Sequence, residues 1–188
     1  GRPPLEDSTF TGTALSIRAL QYYGEDPQDR IERARRWLED AKPATTEDRV
    51  MQLLGMTWAK SSTEQLRVAA KALLAEQRSD GGWSQLLYLE SDAYATGQTL
   101  TALNLSGQLD TSDPTYQRGI DYLLRTQFDD GSWLVRSRSN PFQPYKESGF
   151  PHGRHQWISA AGTSWAVMAL ALTQPVPAEQ MSKASGNE

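Results

Sequence analysis

The sequence predicts an all-α fold, an α/α toroid-like array of helical hairpins with about seven helices. Three observations lead there. The pattern Q-x-x-D-G-x-W occurs as Gln77–Trp83 and again as Gln127–Trp133, with the second copy 50 residues after the first. A helix-like segment precedes and follows each copy. Charge-poor segments alternate with charge-striped ones, and no segment shows the period of a strand. A helix–turn–helix unit recurring at fixed spacing marks an array of stacked units.

Ser8 to Tyr22 reads as the first helix, with Ser8 as N-cap and Gly24 as its stop. Asp26-Pro27 opens a second, to about Ala41, with Ile31, Ala34, Trp37 and Leu38 on its apolar stripe. A third starts at Thr46 and runs to about Ala59, and a fourth spans Thr63 to Gln77. After the first corner, a fifth helix covers Asp92 to Leu105. Asp113-Pro114 opens a sixth, which ends at Gln127. A loop rich in Pro and Gly fills 134–155, and a seventh helix runs from Gln156 to Leu172. Residues 1–174 are expected to form one helical-repeat domain, with 175–188 as a flexible tail. Helices one, three, five and seven are nearly free of charge and predict an inner layer. Helices two, four and six carry charged stripes and predict an outer layer facing water.

Composition narrows the function classes. The chain has 188 residues, a net charge of −4 and no basic block, which argues against nucleic acid as a partner. It has no cysteine, so disulfides, thiolate catalysis and cysteine-bound metal are excluded. No run approaches the roughly 20 apolar residues of a membrane span. No signal peptide is visible. The start at Gly1-Arg-Pro-Pro, without Met, reads as a cut from a longer protein and leaves localisation open.

The corners have a physical logic. Asp80-Gly81 and Asp130-Gly131 are turn dipeptides: Asp bonds nearby backbone and Gly accepts positive φ. Gln77 and Gln127 can tie loose backbone groups at a helix end. Trp83 and Trp133 supply large apolar plates, each with one N–H to satisfy. All eight residues are expected to be structural.

These corners resemble the QW repeat of triterpene cyclases such as squalene–hopene cyclase. Gly162-Thr-Ser-Trp-Ala-Val-Met-Ala-Leu170 is similar to the inner helix that ends S-Q-T-A-W-A-L-M-A-L in that family. Asp92-Ala-Tyr-Ala-Thr-Gly-Gln-Thr-Leu-Thr-Ala-Leu103 looks like a second copy. The likeness covers residues 60–172 well and 8–59 weakly. It implies the α/α toroid shared with prenyltransferase β-subunits and thioester domains. The chemistry those families use is missing from the motifs. There is no D-x-D-D, whose middle Asp protonates an alkene in the cyclases; Asp129-Asp130 belongs to a corner. The zinc set with Cys and the C-G-E-Q of thioester domains are absent too.

Candidate pocket residues are Asp92, Tyr94, Glu147, His152, His155, Trp157 and Trp165. His152 and His155 could bind a metal if Glu147 joined them; otherwise His155 caps or packs at the start of helix seven and His152 faces solvent. Asp92 caps helix five, or sits as an acid at a cavity mouth. Trp58, Trp157 and Trp165 are expected in the core, or lining an axial cavity. The 134–155 loop, with Arg136, Arg138, Tyr145 and Arg154, would bind an anion or simply cover one end of the helix layer. No catalytic residue, metal site or cofactor is assigned. The expected function is a non-catalytic ligand-binding or scaffold module of a larger bacterial-type protein. Its partner would be an apolar or isoprenoid-like small molecule, or other domains of the parent chain. Two alternatives stay open: an isoprenoid or triterpene cyclase or transferase domain whose acid lies elsewhere, and a carbohydrate-active α/α toroid with paired carboxylates.

Overall fold

A computed structural model describes residues 2–140 and 146–174. The stretch 175–188, read as a tail, and Tyr145 of the long loop lie outside the described residues. The described chain forms seven α-helices and no strand. They are α1 (Thr9–Tyr23), α2 (Gln28–Asp40), α3 (Thr46–Trp58), α4 (Thr63–Leu74), α5 (Ala93–Leu105), α6 (Pro114–Thr126) and α7 (Gln156–Ala171). Short 3-10 turns at Leu5–Asp7 and Gly153–His155 lead into α1 and α7.

Local chemistry sets most of the starts. The Ser8 hydroxyl accepts from Thr11 N, and Asp92 accepts from Ala95 N. Thr45 with Asp48, and Ser62 with Gln65, form reciprocal capping boxes. Asp113 caps α6, with Pro114 as its first helical residue. Helix α4 stops three residues earlier than its sequence pattern suggests. Its chain tightens after Leu74, where Glu76 N bonds Leu73 O, and Gln77 is thereby freed for the corner.

The layers are as the charge pattern predicts. Helices α1, α3, α5 and α7 pack in series, and α2, α4 and α6 lie over them. The inner helices run parallel. Ser8 bonds Asp48 at one end of the α1–α3 pair, and Gln21 bonds the Trp58 carbonyl at the other. Close approach requires small residues between them. A Cβ on Gly97 would lie 2.5 Å from the Trp165 backbone, and one on Gly55 would lie 3.0 Å from the Ala14 side chain. The core runs between the layers, through Ile17, Leu38, Leu53, Leu73, Leu100, Leu103 and Leu123. Helices α1 and α7 end the series and do not pack closely on each other.

The two corners are superimposable in their bonding. Trp83 Nε1 donates to Leu73 O at 2.7 Å, and Trp133 Nε1 donates to Leu123 O at 2.8 Å. Both indoles are buried. Gln77 Nε2 donates to Gly81 O, and Gln127 Nε2 to Gly131 O. Asp80 and Asp130 each accept the backbone N–H two residues on. Gly81 and Gly131 have φ of 89° and 82°, which explains the glycines. Each Trp backbone N–H then bonds a threonine hydroxyl on the next inner helix, Thr96 or Thr163. One corner thus fixes an outer helix end, a turn and the following inner helix.

Candidate functional site

The chemically unusual place is the N-terminal end of the inner layer, around Glu47 in the first turn of α3. The capping box at Thr45 fixes that turn, and its neighbours α1 and α5 close over it. Glu47 is only 2% exposed, in a layer otherwise almost free of charge. Thr11 Oγ1 donates to its Oε1 at 2.7 Å, and the Tyr94 hydroxyl donates to Oε2 at 3.0 Å. Burial pushes its carboxyl above the usual range, and the bonds from Thr11 and Tyr94 oppose that only in part. Gln98 lies one turn beyond Tyr94. It acts to favour the Glu47 carboxylate, yet neither of its amide atoms reaches a partner in hydrogen-bond geometry. Tyr94 is buried, and its phenol is held well above its ordinary value by burial and then by Glu47.

Asp92 is a second perturbed acid near this end. Burial raises it to about 6, against the bonds it accepts from Ala95 N and Gln85. Gln85 relays Asp92 to the long loop, since Arg138 Nε donates to Gln85 Oε1 at 2.9 Å. Val135 is clamped at its N–H and carbonyl by the Ser159 hydroxyl. Gln156 accepts from the Ser148 N–H and hydroxyl. The described part of this loop therefore covers the end of the helix layer, one of the two roles its composition allows.

The seven candidate residues do not form one site. Tyr94 and Trp165 meet, the indole acting on the phenol from α7. Asp92 points into the Gln85 relay. His152 Nε2 lies 2.8 Å from Ser132 Oγ, and its ring meets Phe128 edge-on, so it is not a solvent-facing loop residue. Its φ of 80° places it in the left-handed region. His155 precedes α7 without capping it, and its Nδ1 accepts from Ser137 N. Burial lowers its pKa, with Arg154 and Arg136 adding to the effect. Glu147 Oε1 accepts from Gly149 N. Trp157, expected in the core, is 62% exposed. Among the described residues no inner helix follows α7, and the side that such a helix would face is uncovered by them.

Sequence reasoning missed Glu47. Its signal was a single carboxylate at the start of a charge-poor helix, which also reads as an ordinary first-turn acid favoured by the helix dipole. A surface cleft of about 520 Å³ lies between α1 and α2, lined by Gly12, Ser16, Leu20, Arg30 and Ala34. None of the seven candidates lines it.

Comparison with known proteins fits this geometry. The family described as the squalene-hopene cyclase C-terminal domain matches residues 39–185. A squalene–hopene cyclase of Bradyrhizobium diazoefficiens is 32% identical over 113 residues, covering 54% of this chain and 16% of that protein. The chain thus spans under a fifth of the length of this curated relative. Paired tryptophan corners, a parallel inner layer and a family match over most of the chain agree: the protein belongs to the squalene–hopene cyclase C-terminal domain family.

Proposed function

We propose that this domain is a non-catalytic helical scaffold within a longer protein, docking other helical units instead of turning over substrate. The observation that carries this reading is the filling of the inner layer at its N-terminal end. Where a cyclase would need room beside its acid, Glu47 is enclosed by Thr11, Tyr94 and Gln98, and Tyr94 and Gln98 have no solvent exposure. The end helices support it from outside. Helix α7 contains no charged residue and exposes Trp157, Val167 and Met168. Helix α1 exposes Leu15, Tyr22 and Tyr23. Apolar faces of this kind on a folded domain mark interaction surfaces. An apolar or isoprenoid-like ligand would find its room in the α1–α2 cleft. The test is incubation of the protein with squalene and with polyprenyl diphosphates, followed by product analysis. No product above a buffer control is expected; a cyclised product would overturn the scaffold reading.

One observation favours a second reading, a cyclase-type domain. Thr45-Thr46-Glu47-Asp48 places carboxylates at the third and fourth positions of a D-x-D-D register, and burial holds Glu47 towards its protonated, acidic form. In that case Glu47→Gln abolishes any turnover detected, while Asp92→Asn leaves it.

A further inference from the structure

Among the described arginines, only Arg33, Arg136 and Arg154 make no hydrogen bond, ion pair or ring contact. Arg33 lies exposed on α2. Arg136 and Arg154 come from the two arms of the 134–155 loop, and the fold brings those arms together. Ser137 N donates to His155 Nδ1 at 3.0 Å. Arg136 and Arg154 are the residues directly before that bonded pair, so they occupy adjacent positions, both exposed.

The frame around them is fixed. The Ser159 hydroxyl holds Val135, directly before Arg136, at its N–H and its carbonyl. Arg154 sits in the 3-10 turn Gly153–His155, entered through His152, whose ring is held by Ser132. Because His155 Nδ1 accepts a hydrogen bond, the neutral ring carries its proton on Nε2. That N–H has no acceptor among the described residues. Helix α7 starts at the next residue, and His155 gives it no side-chain cap. Ser8, Thr45, Ser62, Asp92 and Asp113 supply a capping oxygen to α1, α3, α4, α5 and α6. The positive end of the 16-residue α7 lacks one.

Nearby acids do not balance this charge. The charged groups that act on the His155 ring are Arg154, Arg136 and His152, with no carboxylate among them. Asp130, the acid nearest Arg136 in sequence, accepts from the Ser132 N–H and hydroxyl. Glu147, the acid nearest Arg154 in sequence, accepts from Gly149 N. Residues 141–145, Pro-Phe-Gln-Pro-Tyr, contain no acid. We propose that Arg136, Arg154 and the His155 Nε2–H form a binding site for a phosphate-type oxyanion at the start of α7. Two guanidinium forks, a ring N–H and a positive helix end suit a group with three terminal oxygens and close to two charges. A carboxylate brings two oxygens and one charge. The ligand is inorganic phosphate or the phosphate of a monoester. The site shares no residue with the Glu47 cluster or the α1–α2 cleft, and it does not depend on the scaffold reading.

The probe is inorganic phosphate, titrated at constant ionic strength into the full chain and followed by NMR of backbone and imidazole nitrogens. Saturable binding with a Kd of about 1 mM or tighter is expected, with a shift at His155 Nε2. Arg136→Ala and Arg154→Ala should each weaken it about tenfold, as loss of a charge-assisted hydrogen bond does. Arg33→Ala, which removes an equal charge elsewhere, should leave it unchanged, and acetate should not saturate. Glycerol phosphate separates the two sources. Equal or tighter binding than phosphate assigns the site to a monoester, and weaker binding assigns it to the free ion; either supports the site. No saturation by about 10 mM phosphate, or equal saturation by acetate, would overturn the proposal. So would binding that neither Arg136→Ala nor Arg154→Ala weakens, or that Arg33→Ala weakens as much, because it would then follow overall charge.

Discussion

Trp83 and Trp133 do two things at once. Each fills the space under its corner, and each indole N–H donates to a carbonyl in the last turn of an outer helix, Leu73 O or Leu123 O. Trp83→Ala and Trp133→Ala should each cost roughly 3–5 kcal/mol, as truncation of buried aromatics does. Chemical denaturation measures this, and an unchanged midpoint for both would refute the structural role. Glu47 gives a different expectation. Its pKa is raised in the folded chain, so its ionisation opposes folding. The stability it contributes is present below the unfolded carboxylate pKa and is lost as pH rises through the folded value. Glu47→Gln keeps a neutral group there, so the variant should gain stability relative to the parent as pH rises. Parallel melts from acid to neutral pH read the difference. The corner roles were legible in the sequence because Asp-Gly and Trp act within one turn. The environment of Glu47 was not, since it depends on Thr11 and Tyr94 arriving from helices 36 and 47 residues away.

Among the elements, α5 shows how a cap becomes sensitive to pH. Asp92 holds the first turn through Ala95 N, but burial raises its pKa to about 6. The sign is that of Glu47: the proton is held more tightly when folded, so stability falls as pH climbs from about 4 towards 6. Asp92→Asn keeps a capping oxygen and should flatten that fall. Carboxylates whose pKa is lowered, such as Glu32 beside Arg35 and Asp130 beside Ser132, act in the opposite direction. The readout is therefore the difference between variant and parent across pH. Helix existence, order and layer were readable from apolar period and charge segregation, which are local properties. The end of α4 was not, because the apolar pattern runs on towards the residue that the corner recruits. Trp157 was expected in the core for a related reason: α7 has the composition of an inner helix, and composition does not say which of its sides a neighbour covers.

The described helices form a stack in which α1 and α7 each keep an exposed apolar side. Its parallel inner helices meet through Gly55 and Gly97, and bulk there acts on the stack as a unit. Gly97→Leu should push α5 from α7 and lower the melting temperature sharply. Gly12, on the open side of α1 with nothing within 4 Å, should accept Ala with a gain of about 0.5–1 kcal/mol from helix propensity. If Gly12→Ala destabilises as Gly97→Leu does, α1 is not an open end.

Equal spacing of the corners also bears on how such a chain can change length. Excising residues 77–126 would join Glu76 to Gln127 and leave the Trp133 indole facing the carbonyl of Leu73, which stands 50 positions before the one it lost. Cuts or duplications of a whole period preserve every local bond of a corner, whereas loss of a single residue breaks the phase. Lineages built this way can lengthen or shorten by recombination in modular steps, without inventing a new joint each time.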